Sequence, residues 1–455
     1  MRLIVVLLCL KNLLAADVRL PKYTRQQLPN GVIVYLVPRA GVPLVSFRVV
    51  VKGGFKAERE TQTGVAQLAA QLLRNGTISR TADQFSSELD SLGGSFNATA
   101  NEEETLVNSE FLKKDFDRGI ALTADTVLHP TFPEAEFQKM LARTIDGVRS
   151  AKDNPQASMP LYFRAFYYGP NHPYGRVSDD VTLARLKRAD LAEYQARMYT
   201  GKNIIVVVSG DFDSTAAAPV IAKAFGSAPA GTEYKWLPEQ PVPKGRRLLL
   251  IDKPDATQTY FNIGQPGLSR TDPDRTAVLL INTLFGGRFT SMLNDELRVN
   301  TGLTYGARSY YDQHRDSGGV VISTYTRTET TEKAIDLALD VLNRLVTKGI
   351  TPEQLASAKA YVKGTYPPQH LETSDQTAAT VSDIELFGLN RGEVDDLFSR
   401  IDAVTVDQAN AIAKKYYGNK DLAFVVIGNA AKIRDTVKKY AKDIREIPAK
   451  SPGFR

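Results

Sequence analysis

The chain repeats itself, and the length of the repeat restricts the fold more than any single motif does. Met198-Tyr199-Thr200-Gly201-Lys202-Asn203 runs into an apolar strand at residues 204–208 and then Gly210. Tyr416-Tyr417-Gly418-Asn419-Lys420-Asp421 runs into a second apolar strand at residues 422–427 and then Gly428. The copies lie 218 residues apart, counted from Met198 to Tyr416. Each follows an amphipathic segment with an acidic start, Ala189-Asp190-Leu191-Ala192 in one and Thr405-Val406-Asp407-Gln408 in the other. Earlier in each half, two strands flank a turn: residues 31–37 and 43–51 around Pro38-Arg39-Ala40-Gly41, and residues 247–251 and 258–263 around Asp252-Lys253-Pro254-Asp255. Alternating apolar residues bounded by Gly and Pro predict strands. A period this long excludes a solenoid, whose repeats run about 20–50 residues. It predicts an α+β protein of two duplicated domains, each a mixed β-sheet with packed helices.

Composition leaves the function open and closes some classes. A chain of 455 residues with 43% hydrophobic and 24% charged residues is ordinary for a globular protein. The formal net charge is only +6. No Lys/Arg run or aromatic-basic cluster points to nucleic acid, and an acidic or extended polypeptide is mildly favoured as a partner. Residues 228–247 carry Pro229, Pro238, Pro241 and Pro243, together with Gly231 and the sole tryptophan, Trp236. Proline at this density predicts an extended connector between domains at residues 17–227 and 248–455. At the N-terminus, Arg2, the apolar residues 3–10 and Leu13-Leu14-Ala15-Ala16 before Asp17 predict a signal peptide over residues 1–16. That implies a periplasmic or otherwise exported protein. Lys11 and Asn12 interrupt the apolar run, and without a signal there the location would be cytoplasmic. The run is too short for a stable membrane span. The only cysteine, Cys9, lies inside it, which leaves the mature chain without disulfides.

Residues 64–74 place Val65, Leu68, Ala69, Leu72 and Leu73 on one helical face and Gln67, Ala70, Gln71 and Arg74 on the other. Taken alone, this is an amphipathic helix. Motifs further along the chain give it a context: Leu92-Gly93-Gly94-Ser95-Phe96-Asn97-Ala98, His129-Pro130-Thr131-Phe132, Asp153-Asn154-Pro155 and His172-Pro173-Tyr174-Gly175. The second half adds Leu284-Phe285-Gly286-Gly287-Arg288-Phe289-Thr290-Ser291 and Leu297-Arg298-Val299-Asn300-Thr301-Gly302-Leu303-Thr304-Tyr305-Gly306. In this order the motifs resemble the pitrilysin/insulinase family of zinc peptidases, which includes mitochondrial processing peptidase. The resemblance covers nearly all of residues 22–440.

The resemblance implies a zinc motif H-x-x-E-H on the first-half helix, with Glu as general base and a third Glu ligand downstream. This chain departs from it at every position. Gln67 and Gln71 stand where the two His would be, Ala70 where the base would be, and the third ligand position falls at about Gly147. A carboxamide is a poor zinc ligand, and Ala takes no proton from water. The four histidines, His129, His172, His314 and His370, form no pair at i+3 or i+4. No metal and no other cofactor is therefore expected on this chain.

The second-half signature is intact. Arg298 is expected near the end of a helix over residues 291–299, Gly302 at the break after it, and Tyr305 at the start of a strand. The resemblance implies that this Arg/Tyr pair reaches toward a zinc-bearing half and holds the substrate backbone. A guanidinium offers a planar fork of donors, and a phenol can donate to a developing oxyanion. Gly286 and Gly287 match the family's glycine-rich loop, which implies close approach of an extended peptide. The same pair also reads as a turn that starts a helix capped by Thr290 or Ser291. The resemblance thus implies a substrate-binding, non-catalytic subunit of a heterodimeric zinc endopeptidase. Its partner would be a related H-x-x-E-H subunit that carries the zinc, and its substrates unfolded peptides. The alternative is a peptidase-derived peptide-binding or scaffold protein with no catalytic partner. No Ser-His-Asp or Cys-His arrangement or phosphate-cradling loop supports a self-sufficient enzyme of another kind.

Overall fold

The computed structural model describes residues 18–238 and 241–454. The expected signal peptide, residues 1–16, lies outside them. The first half contributes strands β1 (Thr24–Gln27), β2 (Ile33–Pro38) and β3 (Leu44–Lys52) and helix α1 (Val65–Leu72). Then come β4 (Ser95–Ala100), β5 (Glu104–Leu112), helices α2 (Glu134–Asp153), α3 (Pro155–Tyr168) and α4 (Arg188–Met198), and β6 (Ile204–Gly210). The second half contributes β7 (Arg247–Asp252), β8 (Gln258–Pro266), helix α5 (Arg275–Asn282), β9 (Ala307–Gln313) and β10 (Gly318–Arg327). Helices α6 (Ser374–Phe387) and α7 (Val406–Tyr416) and strands β11 (Ala423–Gly428) and β12 (Asp443–Pro448) complete it.

The strands form two six-stranded sheets, ordered β1-β2-β6-β3-β5-β4 and β12-β7-β11-β8-β10-β9. Five strands follow one plan in both. Ile33 pairs in parallel with Ile205 as Leu248 does with Phe424, and Val49 faces Val107 antiparallel as Phe261 faces Thr324. The duplication read from the repeated strand and turn motifs is therefore a duplicated sheet. The sixth strand breaks the plan. β1 precedes its sheet and runs antiparallel to β2, whereas β12 closes the chain and runs parallel to β7.

Each sheet has one face covered by its own half and the other by the opposite half. Val34, Leu36 and Val49 pack with Leu68 and Leu72 of α1 in the first-half core. The alternate residues Ile33, Tyr35, Val37 and Val207 share a core with Val381 and Ile384 of α6, which packs on β3 and β6. Reciprocally, Met159, Tyr162 and Phe163 of α3 pack against Leu249, Ile251, Val425 and Ile427 of the second sheet. Two-sided cover explains why every residue of β6 (IIVVVSG) and of β11 (AFVVIG) is buried. Polar clasps line the exchange: Arg48 Nε donates to Ser382 Oγ at 2.7 Å, Arg39 Nη1 to Leu371 O at 2.9 Å, and Tyr167 Oη to Gln265 O at 3.0 Å.

The connector is laid along the first half. Gly201 N donates to Pro229 O at 2.8 Å, and Asn203 Oδ1 accepts from Tyr234 N at 2.7 Å. Among the described residues no helix is long and apolar enough to cross a membrane.

Candidate functional site

Two places answer to the expected site residues, one in each half. The first is α1. Its N-terminus is set by Gly64, whose φ of +101° is open to glycine, and a Cβ there would lie 2.8 Å from Leu183 Cδ2. The first orphan N–H groups are taken by a buried carboxylate: Glu58 Oε1 accepts from Ala66 N at 2.9 Å and Glu58 Oε2 from Gly64 N at 3.1 Å. Burial nonetheless pushes the Glu58 pKa up to about 7, against the pull of those two N–H groups. No motif pointed to Glu58. Its only sequence signal is an acidic residue shortly before the helix.

The residues expected at the zinc-ligand positions do other work. Gln67 Oε1 accepts from Ala100 N at 2.9 Å and from Thr99 Oγ1 at 3.2 Å, so this carboxamide tethers the outward edge of β4. Ala70 was expected on the polar side and is instead wholly buried. The correction is physical: a methyl is compatible with either face, and the first-half core closes over it. Gln71 Oε1 is buried without a hydrogen-bond partner, so its carbonyl dipole is left unmatched. Gly147 lies on α2, exposed, with nothing within 4 Å of where a Cβ would stand. Two carboxamides, one of them engaged, a buried methyl and a glycine supply no thiolate, imidazole or carboxylate. These positions do not fit a zinc ion. Among the described residues no group of three or more His, Cys, Asp or Glu side chains is arranged to hold a metal.

The second place is the segment ahead of β9. Helix α5 runs into a π-helical turn at Thr283–Gly287, and a short α-helical turn at Met292–Asn294 runs into another at Asp295–Asn300. π-turns are rare and concentrate at functional sites. Helix was expected over residues 291–299, and its widened second part displaces Arg298 from ordinary α register. Ser291 caps it, with Oγ accepting from Asn294 N at 3.4 Å. Arg298 stacks its guanidinium over the Phe289 ring, 4.7 Å from the centroid. Phe289 is 65% exposed and Tyr305 81% exposed. Tyr305 was expected to open a strand, but β9 begins at Ala307. Tyr305 instead sits in the turn after the left-handed Gly302, where no sheet partner covers it. The stretch therefore carries a half-buried guanidinium on an exposed aromatic ring and, seven residues on, an exposed phenol.

The two glycines part company. Gly286 is buried against β9, where a Cβ would stand 2.2 Å from Ser309 N. Its lack of a side chain serves the packing of the π-turn on its own strand. Gly287 is exposed and is the one a peptide could approach. No hydrogen bond, ion pair or ring contact among the described residues joins Arg298 or Tyr305 to Gln67 or Gln71. Gly286, Gly287, Arg298 and Tyr305 thus all lie in the segment between α5 and β9, whereas the first-half positions lie on α1 and α2.

The junction of the halves holds a polar and aromatic cluster that sequence reasoning missed. Tyr174 Oη donates to Glu103 Oε1 at 2.6 Å, and that same oxygen accepts from Arg315 N at 2.9 Å. Buried Lys56 pairs with Asp316 and lies 3.3 Å from Tyr174 Oη. Trp236 of the connector receives Arg315 over its ring at 4.1 Å. His172 and His314, far apart in sequence, both pack on Tyr168 and Tyr174. His172 accepts from Tyr174 N at 3.1 Å through Nδ1, a turn-forming contact. Beside this cluster Glu104 is pushed up to about 7, chiefly by burial and then by the nearby Asp383 carboxylate.

Comparison with known proteins agrees with this architecture. The insulinase family model (peptidase family M16) matches residues 34–170, and the peptidase M16 inactive domain model matches residues 185–362. An uncharacterized zinc protease of Mycobacterium leprae is 27% identical over 409 residues, which is 89% of this chain and 91% of that protein. An uncharacterized zinc protease of Bacillus subtilis is 24% identical over 407 residues, 89% of this chain and 97% of that protein. A solved structure described as a peptidase M16 inactive domain from Pseudomonas fluorescens matches with a TM-score of 0.84 at 23% identity, over 90% of this chain and 98% of that one. A protease from Helicobacter pylori matches with a TM-score of 0.82 at 22% identity, over 90% and 100%. These two structures share the fold. With models of both halves matched in order and the duplicated sheet in place, the chain belongs to the insulinase family, peptidase family M16.

Proposed function

We propose that this protein is the substrate-positioning, non-cleaving subunit of a heterodimeric zinc endopeptidase that acts on unfolded peptides. One observation carries the reading: α1 is packed as a structural helix, whereas Tyr305 stands exposed without a partner and half-buried Arg298 rests on the Phe289 ring with no hydrogen bond or ion pair among the described residues. A phenol that is 81% exposed and has no partner adds little to stability. Such an exposed phenol is best explained by a peptide or partner that meets it. The zinc and the general base would come from a related chain with H-x-x-E-H, whose first half would face this chain's second half. Arg298 would then donate to a substrate carbonyl in a fixed plane, and Tyr305 to the oxygen on which negative charge grows. Export to the periplasm is part of the proposal and rests on residues 1–16.

The test is reconstitution. The chain alone should hold no stoichiometric zinc by elemental analysis and cleave no peptide. Co-expressed with an H-x-x-E-H relative, it should elute as a mixed dimer with chelator-sensitive cleavage. Chelator-sensitive cleavage by this chain alone would defeat the proposal. A mixed dimer whose turnover ignores Arg298 and Tyr305 would favour the scaffold alternative.

A further inference from the structure

A cavity of about 230 Å³ lies beside the outer strands of the second sheet, between β7, β12, the end of α3 and the connector. Phe166, Pro170, Leu249 and Phe454 make its walls apolar. Two arginines border it. Arg445 pairs with Leu249 in the β12–β7 register, and Arg247 is two residues before Leu249 on β7, so both project to the face of the sheet that Leu249 occupies.

The two arginines differ in a telling way. Arg247 is only 7% exposed. It donates to the carbonyls of Phe166 at 3.1 Å, Tyr167 at 2.8 Å and Pro243 at 3.2 Å, two of them at the C-terminal end of α3. Its Nε is buried without a hydrogen-bond partner. No described carboxylate forms an ion pair with it; Asp443 and Asp421 act only through space, and burial pulls its pKa down. A buried cation with no counter-ion among the described residues, held by carbonyls and by the Phe166 ring 5.0 Å away, is kept at a cost that a bound anion would relieve. Arg445 is exposed and makes no hydrogen bond or ion pair among the described residues.

We propose that this cavity binds an apolar monocarboxylate, a medium-chain fatty acid or an arylalkanoate. The carboxylate lies between Arg247 and Arg445 and the tail among Phe166, Leu249 and Phe454. A cavity of about 150 Å³ suffices for benzene, so this one has room for a ring or a short chain as well as a carboxylate. A multiply charged, strongly hydrated anion would find too few donors here and would face apolar walls.

The test uses octanoate, 4-phenylbutyrate and octanamide, titrated into the full chain by calorimetry. Both acids should bind saturably at one site. Octanamide should bind at least about 10-fold more weakly, since it forfeits the charge-assisted hydrogen bonds. Arg445→Gln should weaken octanoate by about 10-fold without moving the melting temperature, because Arg445 supports nothing else. Arg247→Met would also strip the end of α3, so the cavity itself is tested with Ala165→Leu. Ala165 lines the cavity at 2% exposure, and the larger side chain should fill it and abolish binding while the circular dichroism stays unchanged. Equal affinity for octanamide and octanoate, undiminished binding by folded Ala165→Leu, or no saturable binding of either acid at low-millimolar concentration would each overturn the proposal.

Discussion

Ala70→Glu restores the base position of the zinc motif and should unseat the helix that carries it. Ala70 is wholly buried, and helical side chains lean toward the N-terminus, so a longer residue there is driven over the turn of Ala66. Ala66 N is already held by Glu58, whose carboxyl is pushed up to about 7 by burial. A second carboxyl would enter the same dry region without a donor of its own. Burying an uncompensated charge or overfilling a packed site each costs several kcal/mol, and about 4 kcal/mol is a reasonable total. For a cooperative unit of about 150–250 residues, 1 kcal/mol moves Tm by about 2–4 °C, so the apparent Tm should fall by about 10 °C. Scanning calorimetry at one scan rate should show that loss at pH 8 and a smaller one at pH 5, where the new carboxyl is neutral. Gln67→His is the comparison: it removes two hydrogen bonds to β4, worth about 1 kcal/mol each. An Ala70→Glu protein melting within about 2 °C of wild type at pH 8 would mean that residue 70 faces open space. The claim that the core has closed over the base position would then fail.

Three further outcomes are expected. In the reconstituted pair, Tyr305→Phe should leave folding and assembly intact and lower turnover by about 10²–10³, the usual loss when one oxyanion donor is removed; Arg298→Lys should not rescue Arg298→Ala, and steady-state rates check both. Glu104→Gln should flatten the pH dependence of stability. The Glu104 pKa is raised, so the stability it contributes is present below about 4.5 and lost as pH rises through about 7, and that interval at 1.36 kcal/mol per pH unit is about 3 kcal/mol. The variant should therefore gain on wild type between pH 5 and pH 8 in thermal melts, with Arg48, Asp383 and Glu103 as the charged neighbours that set the residual slope. Gly286→Ala should destabilise by about 1–3 kcal/mol, because its Cβ would stand 2.2 Å from the Ser309 backbone nitrogen; a melt matching wild type would mean that the π-turn yields freely.

The local layers of the fold were legible in the sequence because their causes are local. Continuous apolar runs declare β2, β6 and β11, the acidic starts at Asp190 and Asp407 declare α4 and α7, and a repeat offset of 218 residues declares duplication. The absence of zinc ligands at Gln67, Ala70 and Gln71 is likewise a property of residue type alone. What the sequence could not state is which faces meet. A strand buried on both sides looks the same whichever helix covers it, so the exchange of α3 and α6 between the halves was visible only in space. The mixed fates of Gly286 and Gly287, adjacent and identical, are decided by Ser309 more than twenty residues later. Ala70 could lie on either side of its helix because a methyl group is at home in water or in a core. Glu58, Glu103 and Arg247 carried no pattern, since a buried charge is defined by the distant groups that surround it. Residue type and period determined the elements and the missing chemistry, whereas the long-range packing of α3, α6 and the connector decided which polar groups are buried, which are paired, and which remain exposed.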